Sequence, residues 1–122
     1  MDKIVIGVIE KVKIKGKTTI EMLAKIDTGA QHNSISMKLA SELKLGPVVR
    51  TAIIKNAHGK AVRPVVKAVI EIKGEKIESE FNLSNRENMK YPILIGMSVL
   101  KNGFLIDPSQ DNSKDETSNN KS

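Results

Sequence analysis

One acidic residue in this sequence stands where a side chain could do chemistry. Asp27 follows an apolar alternation that ends at Ile26 and has the period of a half-buried strand. The triplet Asp27-Thr28-Gly29 indicates an abrupt turn, where glycine lets the backbone fold closely around the carboxylate. A tight loop of this kind can present a carboxylate to a substrate. The same residues are ordinary turn formers, so the triplet alone leaves both roles open.

A second stretch has a related pattern. The apolar run Ile93-Leu94-Ile95 leads straight into Gly96, about 65 residues after Asp27. A short helical turn is predicted directly after it, over residues 97–101. The sequence therefore contains two apolar strands that each end at a sharp change of direction.

The elements that must position these two stretches are predicted to be mostly short strands. A longer helix is predicted over residues 36–45, with Ser36 as its N-cap. Turns are predicted at Gly16, Gly59 and Gly74. The predicted strands cover residues 3–9 with their continuation 10–15, then 18–26, 51–57, 61–72, 76–83, 91–95 and 104–106. This pattern is typical of a mostly all-β fold, a small closed β-barrel or a sandwich with one or two short helices.

Length and charge predict one domain followed by a tail. The 122 residues carry a net charge of +6. Residues 109–122 contain three acidic and two basic residues, so their net charge is −1 and residues 1–108 carry +7. Because residues 109–122 contain no apolar anchor, we predict a folded domain over 1–108 and a disordered polar tail over 109–122.

Composition also narrows the function classes. The two histidines lie far apart and there is no cysteine, so we expect no metal site and no disulfide. The sequence has two phenylalanines, one tyrosine and no tryptophan, and its lysines are scattered among acids. We therefore expect no nucleic-acid partner. The longest early apolar run, residues 4–9, is too short for a membrane span and lacks a signal-peptide cleavage pattern, so we expect no membrane partner and a cytoplasmic location.

The order of these motifs resembles the retropepsin-like aspartic peptidases, the fold of the retroviral proteases. The resemblance covers residues 3–108. Asp27-Thr28-Gly29-Ala30 matches the catalytic motif, and Leu94-Ile95-Gly96 matches the second hydrophobic-hydrophobic-glycine motif. The hairpin tip falls where that family carries its flap, at Asn56, Ala57, His58, Gly59 and Lys60.

A narrower resemblance rests on residues 84–96 and on the closing stretch 103–108. They look like a bacterial and archaeal group labelled ATP-dependent zinc proteases, which are associated with ATP-grasp ligases that modify ribosomal proteins with glutamate. This sequence has neither a phosphate-cradling glycine loop nor a cluster of metal ligands. We therefore expect no cofactor.

The resemblance implies an aspartic endopeptidase built from two chains. Its chemistry needs two carboxylates that share one proton, and this chain has a single Asp-Thr-Gly triplet. A homodimer would pair Asp27 with Asp27 of a second copy and act on a peptide or protein substrate. The alternative is a non-catalytic module of the same fold that dimerises or binds peptides. Of the other polar residues, we predict that Asp107 is a turn residue and that Arg63 and Arg86 pair with acids or contact substrate.

Overall fold

The computed structural model describes residues 2–114, which form nine strands and two short helices. In chain order these are β1 (Ile4–Ile6), β2 (Ile9–Lys15), β3 (Thr19–Ile26), β4 (Asn33–Ser36), α1 (Met37–Glu42), β5 (Arg50–Asn56), β6 (Gly59–Ile72), β7 (Glu75–Ser84), β8 (Ile93–Ile95), α2 (Met97–Leu100) and β9 (Phe104–Ile106). Within this part of the chain, no helix is long and apolar enough to cross a membrane.

Six of the strands close into a barrel. They are hydrogen-bonded in the order β2-β3-β8-β4-β7-β6, and β6 pairs again with β2 from Lys13↔Glu71 to Lys15↔Val69. β5 pairs with β6 alone and extends from the barrel as a hairpin arm. The predicted fold class, a mostly-β chain with a small closed barrel and two short helices, is confirmed.

The barrel is filled by aliphatic side chains. Ile14, Ile35, Ile70 and Ile93 are completely buried, and so is Phe81. Each such side chain contributes roughly 1.5–3 kcal/mol by leaving water. Apolar and polar residues alternate along β2 and along much of β6, so one face of each strand packs into the barrel interior.

The structure differs from the predicted elements mainly at β4. Residues 33–36 were not predicted as a strand, because three of these four residues are polar and the run is short. They form one because β4 inserts between two neighbours, parallel to β7 and antiparallel to β8. The helix that follows is shorter than predicted and begins at Met37, with Ser36 as its N-cap as predicted.

The two ends of the domain pair with each other. β1 and β9 form a parallel two-stranded sheet in which Val5 lies opposite Leu105. Phe104 is 7% exposed and packs into the chain's own core. Val5 and Leu105 are 46% and 51% exposed, so this small sheet presents an apolar pair to the outside.

Residues 107–113, which we call the C-terminal strap, correct the predicted start of the disordered tail. The Val8 N–H donates to Gln110 O at 2.8 Å, and the Asn112 N–H donates to Ile9 O at 2.9 Å. Asp107 is the turn residue expected, and its carboxylate accepts from the Ser109 hydroxyl and N–H. These two bonds lower the pKa of Asp107. The ordered body thus reaches past Pro108, while residues 115–122 of the predicted tail lie outside the described residues.

The N-cap of α1 can be tested directly. The Ser36 hydroxyl accepts from the Leu39 N–H at 3.0 Å. Ser36→Ala should lower the free energy of unfolding in urea by about 1 kcal/mol, and Ser36→Asp should retain most of it. Ser41→Ala, at an exposed position of the same helix, is the control. An unchanged free energy in Ser36→Ala would show that the cap contributes nothing.

Candidate active site

Asp27 lies at the end of β3, where the chain leaves the barrel wall. Its N–H donates to Ile95 O at 2.9 Å, and its side-chain Oδ1 accepts from the Gly29 N–H at the same distance. The turn closes when the Ala30 N–H donates to Asp27 O at 3.2 Å. Asp27 is partly exposed, and Thr28 and Gly29 are exposed. The loop therefore fixes the backbone of Asp27 and leaves its side chain accessible.

The second motif lies directly beside this loop. β8 runs parallel to β3, with Leu94 opposite Lys25 and Ile95 opposite Ile26. A Cβ atom on Gly96 would stand 2.5 Å from His32 O and 2.7 Å from Ala30 O. Only glycine allows that approach. The structure thus brings together the two stretches that the sequence marked, Asp27–Ala30 and Leu94–Gly96.

The first turn of helix α2 binds the loop through two backbone hydrogen bonds. The Met97 N–H donates to Ala30 O at 2.8 Å, and the Ser98 N–H donates to Gln31 O at 3.1 Å. Both donors belong to the first turn of α2, whose N–H groups have no partner within the helix. The carbonyls of Ala30 and Gln31 accept hydrogen bonds from these N–H groups, and the bonds hold the loop against the helix.

A buried asparagine, which the sequence analysis did not single out, joins these elements. Asn33 is 0% exposed. Its Oδ1 accepts from the Gly96 N–H at 2.9 Å, and its Nδ2 donates to Ser79 Oγ at 3.0 Å and to Glu80 O at 2.9 Å. The amide therefore links the start of β4 to β7 and to the turn after β8. The only feature of the sequence that points to Asn33 is its position as a polar residue shortly after the Asp-Thr-Gly loop.

Two further polar contacts connect β4 and β7 behind the loop. Asn82 Nδ2 donates to Asn33 O at 2.9 Å. The hydroxyls of Ser34 and Ser84 lie 2.7 Å apart and share one hydrogen bond. All four residues are largely buried, so these bonds satisfy polar groups that have little contact with water.

A groove of about 460 Å³ opens beside the loop, under the hairpin arm. Residues of the stem of the β5–β6 arm line it, and residues 57–60, at the predicted flap, are exposed. Asp27 is not itself a lining residue, but the lining begins two residues after it, at Gly29 of the same loop. The lining residues are Gly29, Ala30, Gln31, His32, Ser34, Ile53, Ile54, Lys55, Arg63, Asn82, Ser84, Asn85, Arg86, Met89 and Leu94.

The groove is positively charged. Lys55, Arg63 and Arg86 are among its lining residues, which include no aspartate or glutamate. The Arg86 Nε donates to Tyr91 O at 2.9 Å, and partial burial of the guanidinium lowers the pKa of Arg86. A cation held in place and partly desolvated attracts an anion more strongly than a fully solvated one.

The chemistry open to this arrangement follows from the groups present. Asp27 supplies one accessible carboxylate that could exchange a proton with a bound molecule. Within residues 2–114, no group of three His, Asp or Glu side chains is placed to hold a metal ion. His32 lines the groove but is exposed, and Asp107 lies in the turn of the strap.

Comparison with known proteins identifies the family. A family model described as RimB-like, retropepsin-like aspartic endopeptidase RimB, matches residues 38–117. The chain belongs to the RimB-like family. The suspected membership of the retropepsin-like group is thereby confirmed.

Two curated relatives carry a different name. A probable alpha-L-glutamate ligase of Shewanella pealeana is 37% identical over 80 residues, and one of Shewanella halifaxensis is 35% identical over 80 residues. Each match covers 65% of this chain and 17% of the relative. This chain therefore corresponds to a small part of those proteins.

Solved structures share the fold. Protein Lpg0085 of Legionella pneumophila, of unknown function, has a TM-score of 0.64 at 20% identity, covering 88% of this chain and 95% of that chain. EIAV protease in complex with the inhibitor HBY-793 has a TM-score of 0.63 at 19% identity, covering 76% and 84%. Simian foamy virus protease has a TM-score of 0.56 at 24% identity, covering 76% and 91%. The barrel is thus a retropepsin-like fold.

The Asn33 amide gives a prediction about the support of the loop. Asn33→Asp keeps the volume but removes both Nδ2 donors and buries a carboxylate, so it should lower the free energy of unfolding by about 3 kcal/mol. Asn85→Asp, at an exposed position of the groove rim, is the matched control and should change it by less than about 0.5 kcal/mol. Equal unfolding midpoints in urea for the two variants would contradict the role of Asn33.

Proposed function

We propose that this chain is a homodimeric aspartic endopeptidase in which two copies of Asp27 form one catalytic site. The observation that carries the proposal is the accessible Asp27 carboxylate on a hydrogen-bonded loop whose next residues, Gly29 to His32, line a groove together with the hairpin arm. Membership of the RimB-like family supports it. The cytoplasmic location stays a prediction from the sequence.

The mechanism requires both carboxylates. In the proposed dimer one Asp27 is ionised and takes a proton from water, while the other is protonated and polarises the scissile carbonyl. Two charged carboxylates at about 3 Å repel each other, so the pair holds one proton between them and titrates as a unit. The hydroxyl of Thr28 would hold the two loops together across the two-fold axis. Gly29 would let the substrate backbone approach.

The hairpin arm would act as the flap. Its stem residues Ile53, Ile54 and Lys55 line the groove. An extended peptide beneath them could add strand-like hydrogen bonds to the backbone, and closing the arm would exclude water.

The groove charge indicates the substrate. Its three cations have no acidic residue among the other lining residues, so it complements a peptide with acidic side chains. The relatives named alpha-L-glutamate ligase support this choice, because a peptide that carries added glutamate is acidic. We therefore propose that the natural substrate has acidic residues next to the cleaved bond.

The small β1–β9 sheet is the proposed contact between the two copies. Val5 and Leu105 expose an apolar pair there. Exposed strand edges with apolar side chains tend to pair with another chain, and a two-fold dimer would cover both copies of this surface.

The catalytic role of Asp27 is tested by Asp27→Asn, which removes the ionisable group and changes little volume. The variant should keep its circular dichroism spectrum and melting temperature and lose turnover of acidic peptides by roughly a thousandfold or more. Cleavage of a peptide library is read by mass spectrometry between pH 4 and pH 7. Turnover retained in the folded variant would rule out the aspartic mechanism. Peptide binding without turnover in the unmodified protein would favour the non-catalytic alternative.

The dimer contact is tested by two neighbouring substitutions. Leu105→Asp places a charge on an exposed face, so we expect a folded monomer that does not cleave peptides. Phe104→Asp places the charge in the core of the same chain and should unfold it by removing more than about 3 kcal/mol. Sedimentation gives the oligomeric state and circular dichroism the fold. A folded Leu105→Asp monomer with full specific activity would contradict both the contact and the paired site.

A further inference from the structure

The C-terminal strap crosses the junction between β1 and β2, which consists of Gly7 and Val8. Two backbone hydrogen bonds hold it there: the Val8 N–H donates to Gln110 O, and the Asn112 N–H donates to the carbonyl of Ile9, the first residue of β2. A Cβ atom on Gly7 would stand 2.4 Å from Gln110 O. The strap therefore lies against the backbone of Gly7 and could not do so over a larger residue.

A buried carboxylate anchors the strap. Glu10 is 2% exposed, although it belongs to a strand whose other charged side chains reach the surface. Its Oε2 accepts from the Gly7 N–H at 2.6 Å and from Asn112 Nδ2. A carboxylate withdrawn from water must be hydrogen-bonded to be tolerated. Glu10 thus binds the junction and the strap with the same oxygen atom.

The junction in turn contacts the residue before Asp27. Val8 donates its N–H to the strap, and its carbonyl accepts from the Ile26 N–H at 2.9 Å. On the opposite side, the Asp27 N–H is bound to Ile95 O. The chain entering the candidate catalytic loop is therefore held between β8 and the strap-supported junction.

We propose that Glu10 and Asn112 are positioning residues for the Asp27 loop, acting through the backbone of Val8. The strap holds the N–H of Val8, and the carbonyl of Val8 holds the N–H of Ile26, so the start of the loop cannot shift away from this junction. The effect on catalysis rests on the proposed function, whereas the effect on the loop does not.

Hydrogen exchange in the full chain tests the structural part. Asn112→Ala removes one donor to Glu10, and Asn112→Asp puts a like charge beside it. At pH 7 the Ile26 amide should exchange about five- to tenfold faster in Asn112→Ala, and faster still in Asn112→Asp. The exchange rate of the Ile70 amide, in the paired strands β6 and β7, should change less than twofold. Lys114→Ala, directly after the strap, is the control variant and should leave the Ile26 exchange rate unchanged. If exchange at Ile26 and at Ile70 is accelerated equally, or if neither exchange rate changes, the proposal is wrong.

Gly7→Ala tests the strap without altering a polar group. It should expel Gln110 by steric contact and give the same selective acceleration at Ile26. If this variant does not fold, the two Asn112 variants decide the question.

Kinetics tests the catalytic part. With an acidic reporter peptide, Asn112→Ala should lower kcat at least about fivefold and leave KM within about twofold, because the groove residues are untouched. An unchanged kcat together with faster Ile26 exchange would overturn the catalytic part. The two proposals can fail separately. If Asp27→Asn is fully active, the proposed peptidase mechanism is wrong. The strap's structural role still holds in that case if the Asn112 variants accelerate exchange at Ile26 selectively.

Discussion

The position of the candidate catalytic loop depends on the fully buried amide of Asn33. It receives a hydrogen bond from Gly96 and donates to Ser79 and Glu80, so one side chain connects β4, β7 and the turn after β8. Because the Asn33 side chain is fully buried, a shift of one of these elements would leave a donor or acceptor of its amide unpaired. The loop between β3 and β4 can then adopt few arrangements. The approach of Gly96 to Ala30 and His32 limits it further.

The sequence predicted those parts of the site whose physics is local. Asp27 and Gly96 each end an apolar strand, and period and turn chemistry are visible in neighbouring residues. β4 was missed because its polar residues are stabilised by strands that lie far away in the sequence. The strap was missed for a similar reason. Its residues resemble a disordered tail by composition, and its order comes from the distant Val8, Ile9 and Glu10.

The family match and the candidate catalytic loop lie in different parts of the chain. The family model begins at residue 38, after Asp27, so the sequence match leaves the Asp-Thr-Gly loop outside. The structure supplies the link, since β8 and α2 within the matched region hold Asp27 and Ala30 through backbone hydrogen bonds. In the proposed mechanism, the single carboxylate on this loop supplies half of a proton-sharing pair. The exposed pair Val5 and Leu105 lies on the terminal sheet that a second copy would cover.

Mixing subunits gives the most direct test of a site shared by two chains. Unmodified protein is incubated with increasing amounts of Asp27→Asn protein long enough for the copies to exchange, and peptide cleavage is measured at constant total protein. If each site needs Asp27 from both copies, activity falls with the square of the unmodified fraction, to about a quarter at equal amounts. A linear fall to about half would show that one chain carries a complete site and would contradict the account.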